Sequence, residues 1–263
     1  MRLWLALFVL IPAWGAPEVA ATLWSAGVSA ESGWYDFNKD FRRGEQGDDL
    51  LCWAVAASNL LAWWQEQNHE LLPPGVPVQE QVWMTFCSAF ENEGSDPDQG
   101  IRWWFNGQYV QHQPGNGQRC ASLRDAAAGG YFRVSGPEPE FLLYNGRGAG
   151  VTADTLTAVL LSGFRRGDAF WLGASCTRPD GSPFMHSITV WGVDVVRDAA
   201  GQTQIAAIYM CDSDDRTRML HRIPVRREQD KLVFDCAGHP LYGSLGRVTL
   251  DTYTGLRCKI EKQ

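Results

Sequence analysis

The amino-acid sequence predicts an α+β chain in which a mainly helical half precedes an antiparallel β half, with a cleft between two lobes. Up to residue 166 the longer segments carry helix formers with helical spacing of apolar residues. After Asp168 the chain breaks into short β-branched or aromatic runs separated by turn residues. With 45% hydrophobic residues and 12 Trp in 263 residues, it can bury a substantial core.

In the first half, residues 22–32 read as a linker leading to a dense segment at 33–41. Residues 50–67 (LLCWAVAASNLLAWWQEQ) are predicted helical, with Asp48 or Asp49 as the cap. Residues 71–77 (LLPPGVP) break the chain, and two further helices are expected over 78–92 and 97–110. Residues 113–150 are Gly-rich and loop-like, with a short strand at 131–134. Residues 152–166 form an amphipathic helix starting near Thr152 or Asp154 and stopped by Gly167. The pairs Trp63-Trp64 and Trp103-Trp104 are read as core packing.

The second half reads as six strands: AFWLGAS, HSITVWGVDVV, IAAIYMCDSD, HRIPVRR, KLVFDC and RVTLDTY, with a hairpin loop at 198–201. One domain over 22–263 is expected, its helical lobe at about 33–167 and its β lobe at about 168–258.

The first 16 residues have one positive charge (Arg2), a short apolar run and then small residues, the order of a secretory signal peptide. Cleavage after Gly15 or Ala21 would release a secreted or periplasmic protein, because no apolar run reaches the roughly 20 residues a membrane span needs. A net charge of −7 without a basic stripe excludes a nucleic-acid partner. The seven cysteines are an odd number, which in an exported chain predicts three bridges and one reactive thiol. Cys87 and Cys120, both in the helical half, are the one pair singled out. No CxxC pair and no zinc-like Cys/His spacing occurs, so no metal and no cofactor are expected.

Cys52 falls at the start of the long helix, where partial positive charge and unpaired N–H groups favour a thiolate and an oxyanion. His186 begins one strand, and Asp212 ends the next, across a hairpin. Antiparallel pairing would bring them together as base and orienting carboxylate.

Six stretches carry a resemblance: GWYDFNKDF (33–41), DDLLC (48–52), NLLAWWQEQN (59–68), WFNGQY (104–109), HSITVWGVD (186–194) and IYMCDSD (208–214). In these the chain, over about residues 33 to 255, resembles the bacterial immunoglobulin-degrading cysteine endopeptidases of the IdeS/Mac type, a branch of the papain-like fold. The resemblance implies a papain-like α+β architecture and a monomer that hydrolyses peptide bonds of a protein substrate, with immunoglobulin G as the family's target. It makes Cys52 the nucleophile, His186 the base, Asp212 the carboxylate orienting it and Asp214 a supporting carboxylate. Lys39 matches the family lysine of the oxyanion hole, while Gln46 stands six residues before Cys52, where papain-type enzymes place an oxyanion glutamine.

Overall fold

A computed structural model describes residues 19–40, 47–109, 120–124, 128–134, 137–198, 200–240, 242–245 and 247–259. The leader-like residues 1–18, Gln46 and His112 lie outside them. Among the described residues eight strands form one sheet: β1 (Val19–Trp24), β2 (Leu143–Arg147), β3 (Ala169–Thr177), β4 (Pro183–Arg197), β5 (Thr203–Cys211), β6 (His221–Glu228), β7 (Lys231–Phe234) and β8 (Arg247–Leu256). The helices are α1 (Cys52–Gln67), α2 (Val82–Ala89), α3 (Pro97–Asn106), the single turn α4 (Pro139–Leu142) and α5 (Ala153–Arg166).

Antiparallel pairing runs β4-β3-β8-β7-β6-β5 and returns from β5 to β4, so six strands close a barrel. Closure leaves no open edge among these six. The long strand β4 pairs with β3 through Pro183–Val190 and with β1 through Gly192–Val196, so β1 continues the edge that β3 leaves. Gly192 permits this approach, because a Cβ there would lie 2.5 Å from the Trp24 ring. In the same way β2 continues along β8 beyond β7.

This architecture corrects the expected papain-like division into a helical lobe and a β lobe. The dominant element is the closed barrel, and the helices are few. Residues 19–24, read as leader and linker, supply a strand to β4, and residues 143–147, read as loop, supply one to β8. The α5 helix, counted with the helical half, packs Leu156, Leu160, Leu161 and Phe164 into the apolar cluster of the barrel strands. The predicted strand at 131–134 is a turn. Pairing partners lie far apart in sequence, so local patterning cannot register them.

Helix α1 is buried on every side from Trp53 to Gln65, as a helix between packed layers must be. With α2 and α3 it builds an aromatic cluster that includes Trp53, Trp63, Trp64, Trp103 and Trp104. Its N-cap is Leu51, without a side-chain bond. Asp48 instead accepts the Asp40 N–H at 2.6 Å, and Asp49 accepts from Asn92 at 2.5 Å, which corrects the capping expectation. In α5, Thr152 and Thr155 make a reciprocal capping box, and Gly167 closes the helix at φ 81°, where glycine carries no Cβ penalty. None of the seven cysteines is in a disulfide, so the expected three bridges, Cys87 with Cys120 included, are absent. Among the described residues no helix is long and apolar enough to cross a membrane.

Candidate active site

Three segments converge on the first turn of α1. The helix presents Cys52 as its first residue. An extended strap, residues 33–40, crosses beside it, held to α1 by Asn59, whose Oδ1 accepts the Phe37 N–H at 2.8 Å. The same Asn59 donates through Nδ2 to Thr189 Oγ1 of β4 at 3.0 Å. One buried amide thus joins helix, strap and barrel. The third segment follows β5: the β4–β5 ladder ends at the Thr189–Cys211 pair, and Asp212 comes one residue later. His186, on the preceding part of β4, is there within reach.

His186 is 7% exposed and Asp212 is 1% exposed. His186 Nε2 donates to Asp212 Oδ1 at 2.7 Å, which leaves Nδ1 for the thiol of Cys52, its other hydrogen-bond partner. Burial alone would lower the histidine's pKa. The charge and hydrogen bond of Asp212, then those of Cys52, reverse this and hold it well above its ordinary value. Burial likewise pushes the Cys52 thiol up. His186, by hydrogen bond and charge, the Lys39 charge and a backbone bond from Ser187 outweigh it, and the thiol lies below its ordinary value. Asp212 faces the same burial, yet the His186 charge and bond, the Tyr242 hydroxyl and the Asp214 N–H draw it down to about 2. Both shifts run in the direction that favours a thiolate beside an imidazolium.

Lys39 is 4% exposed. Its Nζ lies 2.7 Å from Asp214 Oδ1 and donates to the Asp49 carbonyl at 3.0 Å, while its backbone N–H donates to the Ser213 carbonyl at 3.0 Å. Asp214 thereby holds Lys39, and its N–H bonds Asp212 Oδ1 at 2.9 Å. The atoms of His186, Asp212 and Asp214 lie within 4.8 Å of one another, near enough to ligate a cation. The facing atoms of His186 and Asp212 are spent on each other, and Asp214 already holds an ammonium, so a metal ion would have to displace both pairings.

Sequence reasoning named Cys52, His186, Asp212, Asp214 and Lys39, and the fold brings all five together. It missed Asn59, Tyr242 and a second buried pair behind the site, His221 Nε2 to Asp215 Oδ2 at 2.7 Å. His239 stands edge-on to His221, ring centroids 5.3 Å apart. Asp36, on the strap, is pushed up to about 7 by burial, with Asp215 adding to it. Asn59 and Asp36 lie inside the stretches 59–68 and 33–41 but carry no chemical signal of their own, and Asp215, His221, His239 and Tyr242 are gathered only by the β5–β6 connection and the 236–245 segment. His69, by contrast, is exposed and away from the site. A cavity of about 410 Å³ lies at the other end of the strap, lined by residues 33–37, Glu66, Glu80 and Arg218, and does not include Cys52.

The family model described as Mac 1 matches residues 20–77, and no curated protein matches the chain. The matched stretch spans β1, the strap with Lys39 and helix α1 with Cys52, and ends before His186, Asp212 and Asp214. It covers less than a quarter of the chain. The resemblance read over about residues 33 to 255 is corrected accordingly: assignment to the immunoglobulin-degrading endopeptidases and to the papain-like superfamily is not carried by a partial match on a barrel-dominated fold. Over its first strand, its strap and its thiol-bearing helix, the chain is similar to the Mac 1 family.

Proposed function

We propose that this chain is a cysteine-type peptidase acting on a protein substrate, with Cys52 as nucleophile. The observation that carries the reading is the continuous hydrogen-bonded line from Cys52 through His186 to Asp212 at a helix N-terminus. A thiolate there attacks the peptide carbonyl carbon, and the carbonyl electron pair moves to oxygen. The Lys39 ammonium and the unpaired N–H groups of the first turn of α1 stabilise that oxyanion. His186 gives its proton to the amide nitrogen as the C–N bond breaks, leaving a thioester and a free amine. Water attacks the thioester while neutral His186 takes its proton. The C–S bond then breaks and the acid leaves. Water is the only co-reactant.

Asp212 holds the imidazole and steadies its charge, and Asp214 holds Lys39 in place. The leader-like first 16 residues favour a place outside the cytoplasm, which N-terminal sequencing of exported protein checks.

A screen of purified protein against immunoglobulin G, casein and muropeptides tests the reaction. Cleavage of a protein substrate by the wild type and none by Cys52→Ala is the expected result, since alanine preserves the helix. Turnover surviving in Cys52→Ala sinks the mechanism, and cleavage confined to muropeptides moves the activity to cell-wall peptides.

A further inference from the structure

We propose that Tyr242 is a positioning residue that fixes the Asp212 carboxylate, and through it His186, an inference that rests on the peptidase reading. Asp212 is 1% exposed, so both its oxygens need partners. Oδ1 is served by His186 Nε2 at 2.7 Å and the Asp214 N–H at 2.9 Å. Oδ2 accepts the hydroxyl of Tyr242, itself 3% exposed. The three donors hold both oxygens of the carboxylate, which sets its plane and so the direction in which Oδ1 meets the imidazole.

The tyrosine ring is itself held. It stacks on His239 with centroids 5.3 Å apart at 29°, and stands edge-on to Phe234 of β7 at 5.4 Å and 71°. Its backbone N–H reaches His239 Nδ1 at 3.4 Å. This segment, 236–245, joins the barrel strands β7 and β8, so the barrel positions a hydroxyl at the far side of the line that begins at Cys52. The other groups facing Asp212 are Cys176 from β3, Cys211 from β5, Asp36 from the strap and His239.

The test compares wild type, Tyr242→Phe, Asp212→Asn and the double variant as full chains of matched thermal stability. Iodoacetamide alkylation of Cys52 is followed against pH, which needs no substrate, together with kcat and KM on whichever protein the screen identifies. Without the hydroxyl the carboxylate can turn off the imidazole, which weakens the support of the imidazolium and through it of the thiolate. In Tyr242→Phe the acid limb of alkylation is therefore expected to move up, by about one pH unit or less. The kcat is expected to fall about 10- to 100-fold with KM held within about twofold. In the Asp212→Asn background the same change adds nothing, because Tyr242 acts through Asp212.

An unmoved acid limb with unchanged kcat, or an additive loss in the double variant, overturns the proposal and leaves Tyr242 as packing. If the limb moves while wild type cleaves no substrate, the positioning role stands and the peptidase reading falls. Should Tyr242→Phe not fold, 3-fluorotyrosine at position 242 keeps the ring and strengthens the donor. The limb is then expected to move down, and no movement refutes the proposal.

Discussion

Replacing Lys39 by methionine removes the ammonium and keeps most of its unbranched stem. That ammonium has Asp214 at 2.7 Å and the Asp49 carbonyl at 3.0 Å, with its side chain 3% exposed. Losing one oxyanion donor costs about 10²–10³-fold in kcat, or about 2.7–4 kcal/mol. KM should hold within about threefold, because the charge that Lys39 meets forms only after attack. Its field also helps lower the Cys52 thiol pKa, so the acid limb of alkylation should rise in the same variant. Stability should suffer less than for a typical broken buried pair. The Asp214 side chain is 38% exposed and can turn to water, so a loss of about 1–2 kcal/mol is expected rather than the usual 3–5. Lys39→Arg should rescue poorly, since a planar fork cannot meet the carbonyl and the carboxylate as a compact ammonium does. Steady-state kinetics, mass-spectrometric alkylation across pH and thermal melts read all of this. A kcat within threefold of wild type, or a loss borne by KM, would refute the assignment.

Cys52 should be alkylated selectively near neutral pH. Its thiol is lowered, whereas burial pushes Cys176 up to about 12 and Cys236 up to about 11. Peptide mapping after native iodoacetamide treatment checks this, and faster labelling of Cys176 or Cys236 contradicts it. Asn59→Ala orphans the Phe37 N–H and the Thr189 hydroxyl, so about 2–4 kcal/mol and roughly 5–15 °C of Tm should be lost. A Tm within two degrees of wild type would show that the strap is held by other contacts. Asp36 has its folded pKa raised to about 7, so its contribution is complete below the unfolded value near 3.8 and lost as pH climbs to 7. Asp36→Asn should therefore raise Tm relative to wild type above pH 7 and change it little below pH 4. A Tm difference that does not vary with pH argues against that titration.

Cys52, His186 and Asp212 were legible through their arrangement, each signal being weak alone, while Lys39 and Asp214 were named only through the resemblance. Cys52 opens a long apolar helix, and the hairpin around 198–201 joins the strands that carry His186 and Asp212. Helix α5 was legible from a local signal, with Thr152 before it and Gly167 after it. The strand runs from residue 169 onward are spaced by turn residues, and their alternation in β6, with His221, Ile223 and Val225 buried, is a local pattern too.

The tertiary structure decided what depends on partners distant in sequence. That β5 returns to β4 and closes a barrel is a matter of pairing between strands, and alternation along one strand says nothing of its neighbour. The short segments at 19–24 and 143–147 become strands only because β4 and β8 extend past β3 and β7 and offer them an edge. Cysteine parity predicted bridges, but no disulfide is present, and a count of cysteines says nothing of which ones the fold brings together. Tyr242 lies in no motif and Asn59 is only one residue of the stretch 59–68, so their importance lies in which buried atom each one meets. Sequence by itself determined which residues can do chemistry and which segments want to be helix or strand, because those are local preferences. The tertiary structure alone decided which carboxylate oxygen, hydroxyl and amide meet around Cys52, because a buried polar atom is satisfied only by whatever the closed fold brings to it.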